Sequence, residues 1–512
     1  MLRCIARPYP APVKLKRPSW LENYSPDRCL RLWKGSCLTM QRTSSTHARP
    51  RVAIVGAGLG GVTLGIGLAQ RGVPVHIYEA AEGFGEIGAG VTMGPNAVQA
   101  LGLLSPALLQ AFEMLMTSNA SSNNGAAGTF LTFRRGLAGG ELQPTLGTPQ
   151  ADIADDQSDV LFHLSNSDAA PSWTQTPVRM AVHRARFLDA IVKHLPPGSV
   201  TFRKTLTEIR ATANHQAVDL FFADGTSAAH DLVVGCDGIK SIARQFVHGD
   251  GDGDGNEAMA QFAGEYAYRA LVPAGKFQER LGTEKAMNGQ LYVGSGRYIV
   301  TYPVEHGEFV NVVAVAHAPV WEHDAWLVPC AREDVLADFA AWDGRLLDLL
   351  TEYGGRDKWG LFHHVVSRPY YRGRVCLLGD SAHATTPHLG AGAGQAIEDA
   401  YILAELLAGE GQEGGTADTD IQALFAAYDA VRRPRSQQLV RWSYLTGLTY
   451  ALQEQNAKEN NGLEGMEKVL GERLRWLYGV DLAAHLEEAK GIRSQAGPIL
   501  SSASPSSSLE PL

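Results

Sequence analysis

Arg51-Val-Ala-Ile-Val55 runs straight into Gly56-Ala-Gly58-Leu-Gly60-Gly61, and a helical stretch follows to about Arg71. A second short apolar run, Val73-Pro-Val-His-Ile-Tyr78, ends at Glu79. This is G-x-G-x-x-G set between a strand and a helix, the context a phosphate-binding βα turn requires. Gly56 permits the tight turn, Gly58 lets backbone amides approach a pyrophosphate, and Gly61 lets the helix pack on the strand. The helix N-terminus adds unpaired N–H donors and the positive end of a dipole. Glu79, 18 residues beyond Gly61, is placed to accept hydrogen bonds from ribose hydroxyls. The expectation is a bound dinucleotide. The alternative is a glycine-rich turn without a ligand, and the motif does not separate FAD from NAD.

Two later stretches also take a strand to a carboxylate. Asp231-Leu-Val-Val-Gly-Cys236-Asp237-Gly238 leads into Ser241 and Arg244 at helical spacing. Arg374-Val-Cys-Leu-Leu-Gly379-Asp380 leads through His383, Pro387 and His388 to Gly390-Ala-Gly392-Ala-Gly394, which opens a helix. Asp380 at a strand end suits ribitol or ribose hydroxyls, and the bare glycine loop lets backbone lie against a flat ring. The helix start behind it favours negative charge.

With these three motifs in order, the chain resembles the FAD-dependent aromatic monooxygenases of the single-component para-hydroxybenzoate hydroxylase type. The likeness spans roughly 51–440. The salicylate hydroxylase branch is indicated by Thr385-Thr-Pro-His-Leu-Gly-Ala-Gly-Ala-Gly-Gln395 and by Phe84-Gly-Glu-Ile-Gly-Ala-Gly90 with Gly94-Pro-Asn96. The resemblance implies an α/β fold: a Rossmann-like FAD-binding domain, an interleaved β-sheet substrate domain and C-terminal helices. The FAD-binding part would take about 51–116, 180–260 and 365–440, and the substrate part about 117–179 and 261–364. C-terminal helices would fill 441–494, and a disordered tail 495–512.

The resemblance also implies residue roles. Arg184 corresponds to a flavin-contacting arginine, and Ala89, Gly90, Gly392 and Ala393 would touch FAD through backbone. Asp237 would serve both FAD and a transient NAD(P)H, for which no second G-x-G-x-x-G exists. The implied reaction uses NAD(P)H and O₂ to hydroxylate a phenolic or aromatic-acid ring through a C4a-hydroperoxyflavin, with or without loss of CO₂. His388, after Pro387, is the first catalytic candidate. Tyr268 and Arg269, on an expected strand, are candidates for gripping a phenolate or carboxylate, against the plainer reading of ordinary sheet residues. Two other functions remain open: epoxidation of an isoprenoid olefin, and a non-catalytic flavin-binding protein.

Composition bounds the rest. The 512 residues are 45% apolar and 19% charged, enough to bury a large core. A net charge of −9 argues against nucleic acid as a partner. No apolar run approaches the ~18 residues of a membrane helix, so the chain reads as soluble. The six cysteines are scattered and match no metal spacing, which predicts a reducing, cytoplasmic setting and no bound metal. Residues 1–50 carry ten Lys/Arg and two Asp/Glu, a balance of +8, with prolines at Pro8, Pro10, Pro12 and Pro18 among them. They are expected to be a disordered leader, or an extension ahead of a start at Met40. A mitochondrial address follows only if residues 1–39 are a genuine leader. Residues 117–178, rich in Ser, Asn and Gly, read as a surface insertion around a short strand near 130–134. Asp250-Gly-Asp-Gly-Asp254-Gly copies half a calcium loop but lacks its Glu, and reads as a solvated acidic turn. Helices are expected over about 394–408, 420–431 and 433–456.

Overall fold

Val52–Val55 is buried on both faces, as a continuous apolar strand between helical layers must be. It sits inside a six-stranded sheet, in parallel register with Leu232–Gly235 on one side (Val55 opposite Gly235) and Val75–Tyr78 on the other (Val55 opposite Tyr78). Val375–Leu377 pairs in parallel with Leu232–Gly235. The strands preceding all three sequence motifs are therefore neighbours, and their carboxyl ends lie on one edge. Ligands of open parallel sheets bind at such an edge. Helices Leu59–Gln70 and Gly392–Ala408 pack together over the sheet and share its core.

The computed structural model describes residues 49–85, 90–120, 128–137, 159–169, 179–213, 216–249, 259–409, 418–453 and 463–495. These fall in one compact unit, His47–Leu512. Nearly all of the expected leader, the acidic turn, Ala89 and nearly all of the tail lie outside the described residues. No described helix is long and apolar enough to cross a membrane.

A second sheet has eight strands, with Gln261–Pro273 and Phe309–His317 paired antiparallel near its middle. Side chains alternate between its faces. Tyr266, Tyr268, Ile299 and Ala314 pack under the helices Ala274–Leu281 and Gly344–Tyr353. Ala267, Tyr298 and Val315 pack on the other face, toward residues of the helices Asp418–Tyr450 and Leu463–Tyr478.

Two expectations need correction. The strand expected near 130–134 is present as Thr129–Arg135, but it lies buried within the eight-stranded sheet and not in a surface insertion, pairing in parallel with Gln290–Gly294 and antiparallel with Val160–Ser165. The two helices expected over 420–431 and 433–456 are one, Asp418–Tyr450, with Pro434 inside it. A proline inside a helix loses a hydrogen bond and crowds the preceding turn. Here Arg432 and Arg435, on either side of it, are both tied to Glu398 by buried ion pairs that hold the helix through the defect. The boundary expected after residue 440 therefore falls inside a helix.

Candidate active site

The fingerprint glycines divide by what surrounds them. Gly56 has φ +101°, and a Cβ there would lie 2.3 Å from the Cys236 carbonyl oxygen. A Cβ on Gly61 would lie 2.0 Å from the Gly56 carbonyl oxygen. Both are demanded by the protein's own packing. At Gly58 the nearest atom to a Cβ would be Arg184 Nη2, 3.9 Å away, so this glycine faces open space. The groove it opens on is also lined by Arg184, Gly90, Asp380, Gly392 and Ala393. Glu79 stands at the end of its strand, where Oε2 accepts from Ala57 N at 2.6 Å and Oε1 from Ala81 N at 2.8 Å.

Asp237 is held at a helix start. It does not line the groove, although its neighbours Cys236 and Gly238 do. Its carboxylate caps the helix Ile242–His248, accepting from Ser241 Oγ at 2.5 Å and from the backbone N–H groups of Ile242 and Ala243 at 2.8 and 3.0 Å. Burial pushes its carboxyl up against those bonds. Arg244 donates to the carbonyls of Asp380 (3.3 Å) and Ser381 (3.0 Å) and so ties two strand ends together. Burial pulls its guanidinium down to about 10, still protonated at neutral pH.

A cavity adjoins the groove, and Gly90, Thr92, Tyr302, Pro387 and Gly390 belong to the walls of both. Its lining is mostly apolar and aromatic, with Phe130, Leu131, Tyr298, Val313, Tyr450 and Tyr478 among it. Arg269 reaches this cavity. Tyr268 does not: its hydroxyl donates to Asp338 Oδ2 at 2.7 Å on the opposite face of the sheet. Adjacent residues of a strand point to opposite sides, so only one of the pair can serve the cavity.

His388 lines the cavity with its ring, wedged edge-on against Tyr298 and Tyr450. Its Nδ1 lies 2.9 Å from both the Ser443 carbonyl and Thr386 Oγ1. A carbonyl only accepts, so this nitrogen carries the hydrogen. Its Nε2 is 2.9 Å from Glu265 Oε2, at ion-pair distance but without hydrogen-bond alignment. Both side chains are almost fully buried.

The model of the FAD binding domain family matches residues 49–443. The chain belongs to this family of flavoproteins. A salicylate hydroxylase of Pseudomonas putida is 35% identical over 457 residues, covering 86% of this chain and 94% of that protein. A 6-methylsalicylate 1-monooxygenase of Aspergillus terreus is 34% identical over 448 residues, covering 86% and 92%. Among solved structures, a salicylate hydroxylase substrate complex superposes with a TM-score of 0.68 at 28% identity, covering 87% of this chain and 98% of the other. This flavoprotein is thus an FAD-dependent monooxygenase of the salicylate hydroxylase-like kind.

The groove fits its cofactor. The open face of Gly58, the N-terminal turn of Leu59–Gln70, Arg184, Asp380 and the start of Gly392–Ala408 supply amides, one cation and one carboxylate around an uncluttered slot.

The sequence reading missed what anchors the groove from below. Glu398 and Asp399 are fully buried beside Arg432, with Arg435, Asn96 and His383 completing the cluster. Burial alone would raise both carboxyls, but the adjacent charges (Arg435 and Arg432; His383 and Arg432) hold each at about 2. The signal was present as Gln395, Glu398 and Asp399 on one helix and Arg432 and Arg435 on another. Nothing local says that the two helices meet. Arg179 and Tyr302 in the cavity wall, and Glu265 paired with His388, were also missed.

Proposed function

We propose that this monooxygenase hydroxylates a phenolic or aromatic-acid ring, with NAD(P)H as transient reductant and O₂ as oxidant. One atom of oxygen enters the ring and the other leaves as water. The observation that carries this is the shared wall between groove and cavity at Gly90, Thr92, Tyr302, Pro387 and Gly390. Bound FAD, reduced by NAD(P)H, supplies the oxygen activation.

The chain's own residues do the rest. Tyr298, Tyr450 and Tyr478 wall the ring with buried aromatic surface and keep water out. The Arg269 guanidinium, lying over Trp359 at 4.6 Å, favours a phenolate over a phenol, and the phenolate is the stronger nucleophile. Burial pulls its pKa down, which is the cost of holding that charge away from water. Tyr302 donates to the Gly90 carbonyl at 3.1 Å and pins the strand that separates cofactor from substrate. The buried His388–Glu265 pair, whose histidine lines the cavity, is the candidate acceptor for the phenolic proton. A cavity holding two arginines suits an anionic aromatic and is a poor match for an isoprenoid olefin.

Purified protein supplied with NAD(P)H and a panel of phenolic acids tests the reading. Product mass separates simple oxygen insertion from replacement of a carboxylate with release of CO₂. Reductant consumption that yields only hydrogen peroxide with every phenol overturns it.

A further inference from the structure

The cavity contains an arginine that the fold does not neutralise. Among the described residues lining it are Arg179 and Arg269, and no Asp or Glu. Arg179 precedes the short strand Met180–His183 and is only partly accessible. Its guanidinium carbon sits 5.5 Å from the centre of the Phe130 ring and 5.0 Å from that of Tyr302. Its Nε packs over Gly289, where a Cβ would come within 3.0 Å. Among the described residues no carboxylate lies within ion-pair distance of it. Burial draws its pKa down, and the charges that act back on it are those of Tyr302, Tyr478 and Tyr450, all neutral phenols at physiological pH.

A cation held among aromatic rings without a counter-ion is costly unless something else supplies the negative charge. Ring contacts offset part of that cost. With rings on its flanks, the guanidinium keeps its N–H edge for an acceptor, and that planar fork matches a carboxylate in a two-point hydrogen bond. Arg269 marks a second pole. It lines the same cavity from the strand Gln261–Pro273, with its guanidinium 4.6 Å from the centre of the Trp359 ring.

We propose that Arg179 is an anion subsite that binds the carboxylate of an aromatic acid, with the phenolic oxygen of the same ring turned toward Arg269. The inference rests on the hydroxylase reading above and narrows it to rings bearing both groups.

The test uses the flavin-loaded enzyme and two probes of equal shape, salicylate and salicylamide, with binding read from the perturbed flavin absorbance. Wild type should prefer the acid by roughly 10- to 100-fold, the range of a charge-assisted hydrogen bond. In Arg179→Gln that preference should shrink at least tenfold, while salicylamide binding stays within about threefold. Arg179→Lys keeps the charge without the fork and should fall between; it also serves if the glutamine variant fails to fold. An acid preference that survives both substitutions removes the subsite but leaves the hydroxylase reading intact, provided a hydroxylated product still forms. If wild type binds neither probe and hydroxylates no phenolic acid, the hydroxylase reading falls first.

Discussion

His388 and Gly447 touch across the cavity wall: a Cβ on Gly447 would lie 2.5 Å from His388 Cε1 and 2.8 Å from Glu265 Oε2. Glycine inside the helix Asp418–Tyr450 costs about 1 kcal/mol of helix propensity relative to alanine. That cost is the condition for burying the His388–Glu265 pair where it stands.

Gly447→Ala should therefore leave flavin content and fold intact while displacing His388. Turnover is expected to fall roughly 10- to 100-fold, the usual penalty for misplacing an active-site group by about 1 Å. Steady-state kinetics beside a flavin spectrum would show it. Unchanged turnover would mean that the position of this histidine does not matter.

The fingerprint glycines should separate by function. Gly61→Ala drives a methyl into the Gly56 carbonyl, and apo stability should drop by about 1–3 kcal/mol or more. Gly58 has φ −69°, which any residue adopts, and open space beyond it. Gly58→Ala should leave apo stability within about 0.5 kcal/mol and weaken FAD binding roughly tenfold or more. Thermal melts of the apoprotein and FAD titrations distinguish the two.

Neighbouring residues of one strand should give opposite outcomes. Tyr268→Phe removes a hydroxyl bound to Asp338 and should cost about 1 kcal/mol of stability with normal kcat/KM. Arg269→Gln should lower kcat/KM roughly 10- to 100-fold with little change in melting temperature. A kinetic defect in Tyr268→Phe would contradict the placement of its side chain.

Stability should fall on mild acidification. Burial holds His230 and His363 down to about 4, against an ordinary value of 6.5. Between those values the unfolded chain takes up protons that the folded chain excludes, so the folded state loses ground as pH drops from 6.5 toward 4. Above 6.5 these two groups contribute no slope. Glu398 and Asp399 behave differently: ionised down to about 2, they hold full stability above the unfolded carboxylate range and lose it only as pH falls through that value. Denaturant midpoints from pH 7 to 4 should decline, and His363→Gln should flatten part of the decline. A flat profile would remove the buried, neutral histidines from the account.

The cofactor groove was legible because its determinants are local. A positive φ at Gly56, an apolar strand before it and a helix start after it all occur within a dozen residues, and each motif carries its own turn chemistry. The cavity was not, because its residues come from separate strands and helices whose meeting no short pattern records. Asp237 shows the limit from the other side: its motif looked like a ligand contact, and the side chain is spent capping a helix.

The linear chain alone settled that three strands would each end in a glycine or a carboxylate suited to a nucleotide, and that Tyr268 and Arg269 would share a strand. Folding decided which of those two meets the substrate, that Glu265 would stand against His388, and that Arg179 would be left among rings with no acid beside it. Backbone preference acts over a few residues and can be read from them. Charge compensation and burial depend on whichever distant segments arrive at the same place.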